Sequence, residues 1–173
     1  MNTLAKVLLY LGIYAVLHFA YEATGIPLLK PISGVDESVF EHLKMGFYAY
    51  LLASVVEYFS IRRKHHPPLN FWTSRIFASL FLPWSIVIIW YLAPALVGPL
   101  NTQAELTWAF TVTFLSGVTA KQVEKALEEE MLPAGFNLIV VILFLITLIF
   151  FLAFTYQKPW IDLFVDPLTI GGH

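Results

Sequence analysis

The chain has 173 residues, 58% of them hydrophobic and 13% charged, with a formal net charge of −2. Soluble domains carry about 25% charged and roughly 45–50% apolar residues, so this composition points to a lipid bilayer as the solvent. The small charge and scattered basic residues exclude a nucleic-acid footprint, and the absence of cysteine excludes disulfides, thiolate metal ligands and a catalytic thiol.

In chain order, the first apolar stretch covers residues 4–21. It exceeds a signal-peptide core of about 7–15 residues, and His18 and Glu22 stand where small cleavage-site residues belong, so it reads as a retained helix. Further apolar stretches follow at residues 38–61, 71–96, 103–120 and 136–156. Each has about the 17–25 residues a helix needs to cross the hydrocarbon. The breaks carry loop chemistry: Gly25-Ile26-Pro27 onward to Gly34, His65-His66-Pro67-Pro68, Gly98-Pro99 and Pro133-Ala134-Gly135. The expected fold is all-α: one domain, a bundle of five transmembrane helices in the cell membrane. Arg62, Arg63, Lys64 and Arg75 flank the second loop, with Lys6, Lys121 and Lys125 on the same side, which predicts the N-terminus inside and the C-terminus outside.

Pro83 and Pro94 predict kinks in the third span, and the hydroxylic and small residues of the fourth (Thr107, Thr111, Thr113, Ser116, Gly117, Thr119) read as packing before a hydrated lining. The fifth, almost wholly apolar, is expected to face lipid. Beyond the fourth span the helix should run on to Pro133, with Lys121/Glu124 and Lys125/Glu129 at helical pair spacing, as a solvated end.

Ionisable groups in a membrane ask for a partner or a purpose. On the expected outer side lie His18 and Glu22 at i, i+4, then Asp36, Glu37, Glu41, His42 and Lys44, with Asp166 in the tail. Glu37, Glu41, Lys44 and Tyr48 step down one helix face, while His42 lies about 100° away from Glu41. Part of this has a plain structural explanation: Ser38-x-x-Glu41 is a capping-box pattern and Asp36 a plausible N-cap. Capping does not account for His42 and Lys44. The expectation is one cavity uniting Glu41, His42 and Lys44 with Glu37, Glu22 or His18 and Asp166, as a ligand or proton site, with Glu41 and His42 able to hold a divalent metal. His65 and His66 read as interface residues before metal ligands. Glu57 lies sixteen residues, ~24 Å, beyond Glu41, and its expected partner is Arg75 or Arg62.

Asp36-Glu37-Ser38-Val39-Phe40-Glu41-His42-Leu43-Lys44 resembles an Asn-Glu-Ser-x-x-Glu-His-x-Lys segment of a family of uncharacterised bacterial and archaeal multi-pass membrane proteins. Leu163-Phe164-Val165-Asp166-Pro167-Leu168-Thr169-Ile170-Gly171 resembles the Leu-Phe-x-Asp-Pro-x-Thr-Gly segment near that family's C-terminus. Asp36 replaces the usual Asn, and Ile170 displaces the expected Gly. The resemblance implies a shared fold and motifs meeting on the outer face; it implies no reaction. The leading functional expectation is transport or permeation of a cation, proton or small polar solute. The alternatives are an intramembrane metal-assisted hydrolase or lipid-modifying enzyme, with Glu41 and His42 as ligand or base and Lys44 holding an anion, and a subunit or assembly factor. The lipid bilayer is the expected partner, with a homo-oligomer or another membrane protein as further candidates.

Overall fold

The computed structural model describes residues 1–62, 67–98 and 100–166. Among these there are five α-helices and no strand: α1 (Thr3–Thr24), α2 (Val39–Arg62), α3 (Phe71–Val97), α4 (Thr102–Glu129) and α5 (Ala134–Tyr156). Short 3₁₀ turns at Pro27–Leu29 and Asp162–Phe164 complete the fold. Asn2 caps α1 by accepting from the Ala5 N–H at 2.8 Å, and Asn101 caps α4 by accepting from Ala104 at 2.9 Å. Gly25 ends α1 in the left-handed region (φ 65°), where a side chain would strain the backbone. α3 runs through Pro83 and Pro94 without a break.

Consecutive helices run in opposite directions. α1 packs on α2, α2 on α3, α3 on α4 and α4 back on α1, a closed ring, while α5 lies outside against α3. Aromatic contacts strap α5 to α2 as well, with Phe47 5.9 Å from Phe144 and 5.3 Å from Phe151 between ring centroids. The ring encloses Tyr10, Met45, Ala49, Tyr50, Ala53, Ala78, Leu82, Val112 and Ala120. Only Val140 and Phe151 of α5 are fully buried; Phe144, Leu148 and Phe154 are half-buried, and most of its other apolar side chains face outward, as its sequence suggests.

Three helices, α1, α3 and α5, are long and apolar enough to cross a membrane. The expectation of five such helices must be corrected on this criterion. α2 and α4 are as long, but their charged residues lower their hydropathy below that of a free-standing span. The charges away from the outer ends are turned inward: Glu41, Lys44 and Glu57 of α2 and Glu124 of α4 are fully buried, while Arg62, Glu105, Lys125 and Glu129 are exposed.

Two glycines set how closely the ring closes. A Cβ on Gly117 would fall 2.8 Å from Cδ1 of the Tyr10 ring, and one on Gly46 would fall 2.8 Å from the methyl ends of Ile86 and Leu82. Methyl ends can rotate away, whereas a ring wedged between helices cannot. Gly117→Ala is therefore expected to lower stability by ~1–3 kcal/mol and Gly46→Ala by less. Unfolding in mixed micelles measures both, and equal losses would contradict the argument.

Candidate functional site

Polar side chains gather at both ends of the ring. At the end where α1 stops and α2 begins, the loop before α2 folds back over the helix. The Asp36 carboxylate accepts from the Ser38 N–H at 3.0 Å, and Glu41 accepts from the Val35 N–H at 3.1 Å. The anticipated capping box is therefore not made. The Glu41 carboxylate passes over Ser38 to reach Val35, and the buried Ser38 hydroxyl has no hydrogen-bond partner among the described residues.

The single expected cavity divides into two arrangements on opposite flanks of α2, because adjacent helical residues point about 100° apart. On the flank toward α5, Glu41 and Lys44 form a fully buried ion pair at 2.7 Å. Lys44 also donates to the Lys30 carbonyl at 2.7 Å and to Thr155 Oγ1 at 3.1 Å. Lys158, just beyond α5, binds the Asp36 carboxylate and lies 3.5 Å from Glu41. Burial works against the Asp36 carboxylate, but hydrogen bonds from Lys158 and Ser38 outweigh it and hold its pKa below the usual range. Phe164 stacks on Phe40 with centroids 4.7 Å apart, which brings the tail carrying half-buried Asp166 to this same end.

On the flank toward α1, His42 meets His18 and Glu37. The Nε2 atoms of His42 and His18 lie 3.4 and 3.7 Å from the same Glu37 oxygen, and the two rings are 5.5 Å apart. Tyr14 Oη lies 3.0 Å from His42 Nδ1. The hydrogen bond with His42 keeps the Glu37 carboxyl below its ordinary pKa. Glu22, exposed, is close enough to His18 to act on it electrostatically. Glu37 and His18 thus take the place expected of Glu41 as metal-ligand candidates beside His42, since Lys44 already occupies Glu41.

At the other end, Glu57 meets Arg75 at 3.3 Å, but this contact is one strand of a larger network. Lys6 donates to Glu57 at 2.6 Å and also binds Glu124. Glu124 further binds Lys121, lies 3.1 Å from Arg75 and accepts from Tyr50 Oη at 2.8 Å. Arg75 reaches Glu128 at 2.6 Å, and the Met1 amino group lies 3.3 Å from Glu57. A cleft of about 750 Å³ lined by Met1, Glu57, Arg75, Lys121 and Glu128 opens onto the network. Lys121 and Glu124 are therefore not a solvated helix end. That description fits Lys125 and Glu129, an exposed pair at 3.8 Å, and exposed Glu130. Arg62 instead lies over the Tyr58 ring, 6.0 Å from its centre. His65, His66 and Pro167 to Gly171 fall outside the described residues.

Tyr14, Lys158 and Lys6 were not anticipated as partners, and Glu124 only as the helical-spacing partner of Lys121, which it is. Lys6 and Glu124 gave a usable signal, each being a charge on a helix that otherwise packs apolar residues. Tyr14 gave none, since an aromatic residue in a span suits lipid as well as a histidine.

A family model, DUF6512, a family of unknown function, matches residues 3–172. No curated protein matches, and no solved structure does.

Proposed function

The chain belongs to DUF6512, a family of unknown function, and from the geometry of its two polar ends we propose that it is a five-span membrane protein that passes protons along its core, with its N-terminus in the cytoplasm. The crossing of α2 and α4 is supported by the inward pairing of their charges, which removes the main cost of placing them in lipid. The orientation is supported by the bias of Lys and Arg toward the end holding Lys6, Arg62, Arg75, Lys121 and Lys125.

One observation carries the reading. A row of tyrosines joins the two polar ends: Tyr14 touches His42, Tyr10 lies 6.1 Å from Tyr14 and 5.8 Å from Tyr50 between ring centroids, and Tyr50 donates to Glu124. The middle member is buried, and its hydroxyl has no hydrogen-bond partner among the described residues; nor has the buried hydroxyl of Ser116, beside the Gly117 against which Tyr10 packs. A hydroxyl both donates and accepts, so the row can hand a proton on by rotation once water bridges the gaps on either side of the Tyr10 hydroxyl. Burying one unpaired costs free energy, which makes an idle Tyr10 hydroxyl hard to explain by packing alone.

The test is proton flux into liposomes holding the purified protein and a trapped pH dye, driven by a potassium diffusion potential. Flux well above protein-free vesicles is expected. Tyr10→Phe keeps the ring and should reduce it by on the order of tenfold, ~1.4 kcal/mol of barrier, with the fold intact. Flux equal to protein-free vesicles, or a Tyr10→Phe variant as fast as the parent, would sink the reading.

A further inference from the structure

We propose that His18, Glu37 and His42 form a binding site for a divalent transition-metal ion of the zinc class. This inference stands on the geometry of one flank of α2 and holds whether or not protons move through the core. The ligand atoms of the three residues lie within 4.8 Å of one another. The two imidazole Nε2 atoms stand 3.4 and 3.7 Å from one Glu37 oxygen. Metal–ligand bonds of about 2.0–2.2 Å at tetrahedral angles place ligand atoms roughly 3.3–3.6 Å apart. The two imidazole–Glu37 separations are therefore close to those around a bound ion, and the third, within 4.8 Å, needs only a small movement of a ring.

The donor set and its surroundings agree with this. Two imidazoles and one carboxylate suit zinc, cobalt, nickel or iron in preference to magnesium or calcium, which favour all-oxygen sites. A ligating histidine needs its far nitrogen engaged, because that hydrogen bond fixes the tautomer and the ring direction. His42 has a partner for this in Tyr14 Oη, 3.0 Å from Nδ1, which can accept from Nδ1–H once Nε2 gives up its contact with Glu37 to bind an ion, whereas the buried His18 Nδ1 has none among the described residues. His18 and His42 come from two helices locked by the α1–α2 contact, and Glu37 comes from a loop pinned through Asp36 to Lys158. Three protein ligands leave a fourth position for water or a fourth group. Exposed Glu22, one turn beyond His18, is the nearest candidate on the same helix face.

The experiment uses the full-length protein in detergent with any affinity tag removed, titrated with Zn²⁺ by calorimetry and with Co²⁺ by visible absorption. One ion per chain is expected, with the intense d–d bands of a four-coordinate cobalt site. His42→Gln and His18→Gln should each abolish the cobalt bands. Tyr14→Phe should weaken zinc by about 10–100-fold, the usual effect of removing a supporting partner, without removing a ligand. Replacing His65 and His66 together should leave both signals unchanged. Helix content by circular dichroism verifies that each variant folds. Absence of saturable binding would overturn the proposal, as would binding that survives loss of both His18 and His42 or disappears with His65 and His66.

Discussion

Glu124→Ala is expected to lower stability by ~3–5 kcal/mol, the loss that follows when one partner of a buried ionic network is removed and the others stay. The Glu124 carboxylate gathers Lys6, Lys121, Arg75 and the Tyr50 hydroxyl, and it is fully buried. Without it, Glu57 and partly exposed Glu128 are left facing Lys6, Lys121, Arg75 and the Met1 amino group. Cations without counter-charge in a dry core must shed protons or draw in water, and both weaken the packing of α1 against α4. Glu129→Ala, on the same helix in an exposed pair, provides the contrast and should change stability by less than about 1 kcal/mol. Equilibrium unfolding in mixed micelles measures the two side by side. Combining Glu124→Leu with Lys6→Met should recover part of the loss, because removing opposite charges together leaves fewer orphans. A Glu124→Ala loss no larger than that of Glu129→Ala would mean that water already screens the network.

Lys44→Met should have a comparable effect at the other end, ~3–5 kcal/mol, for the same physical reason. Its ammonium holds the buried Glu41 carboxylate, the Lys30 carbonyl and Thr155 together, so it ties the loop before α2 to the end of α5. With methionine there, Glu41 keeps, among the described residues, the Val35 N–H and the more distant, quarter-exposed Lys158. Adding Glu41→Gln to Lys44→Met removes the stranded charge and should restore more than half of the loss. Glu41→Gln alone strands the Lys44 ammonium, so it too should destabilise. Thermal unfolding of the two single variants and the double separates these cases. A double variant less stable than Lys44→Met would refute a pairwise account.

The placement of both networks was partly legible. Lys6, Glu57, Arg75 and Lys121 fall near helix ends that alternate in direction, and a rise of ~1.5 Å per residue separates Glu41 from Glu57 by most of a bilayer's thickness. Depth along the membrane follows from counting residues. Rotation about each helix axis does not, and it sends His42 toward α1 while Glu41 turns toward α5. The same uncertainty made residues 121–130 look like a solvated end, when Lys121 and Glu124 face the ring and Lys125 and Glu129 face out.

The sequence by itself determined that the chain is helical and apolar enough for a membrane, roughly where its helices lie, and which charged groups gather at one end of them. These follow from composition, run length and the fixed rise of a helix, all of them local quantities. Only the tertiary structure decided that α1 to α4 close into a ring with α5 outside, that Glu41 pairs with Lys44 while Glu37 joins the two histidines, and that Tyr10 bridges the polar ends in the space left by Gly46 and Gly117. Those outcomes depend on which helix faces meet. That is settled by the simultaneous packing of side chains distant in sequence, and no helix carries a strong enough apolar stripe to announce its face in advance.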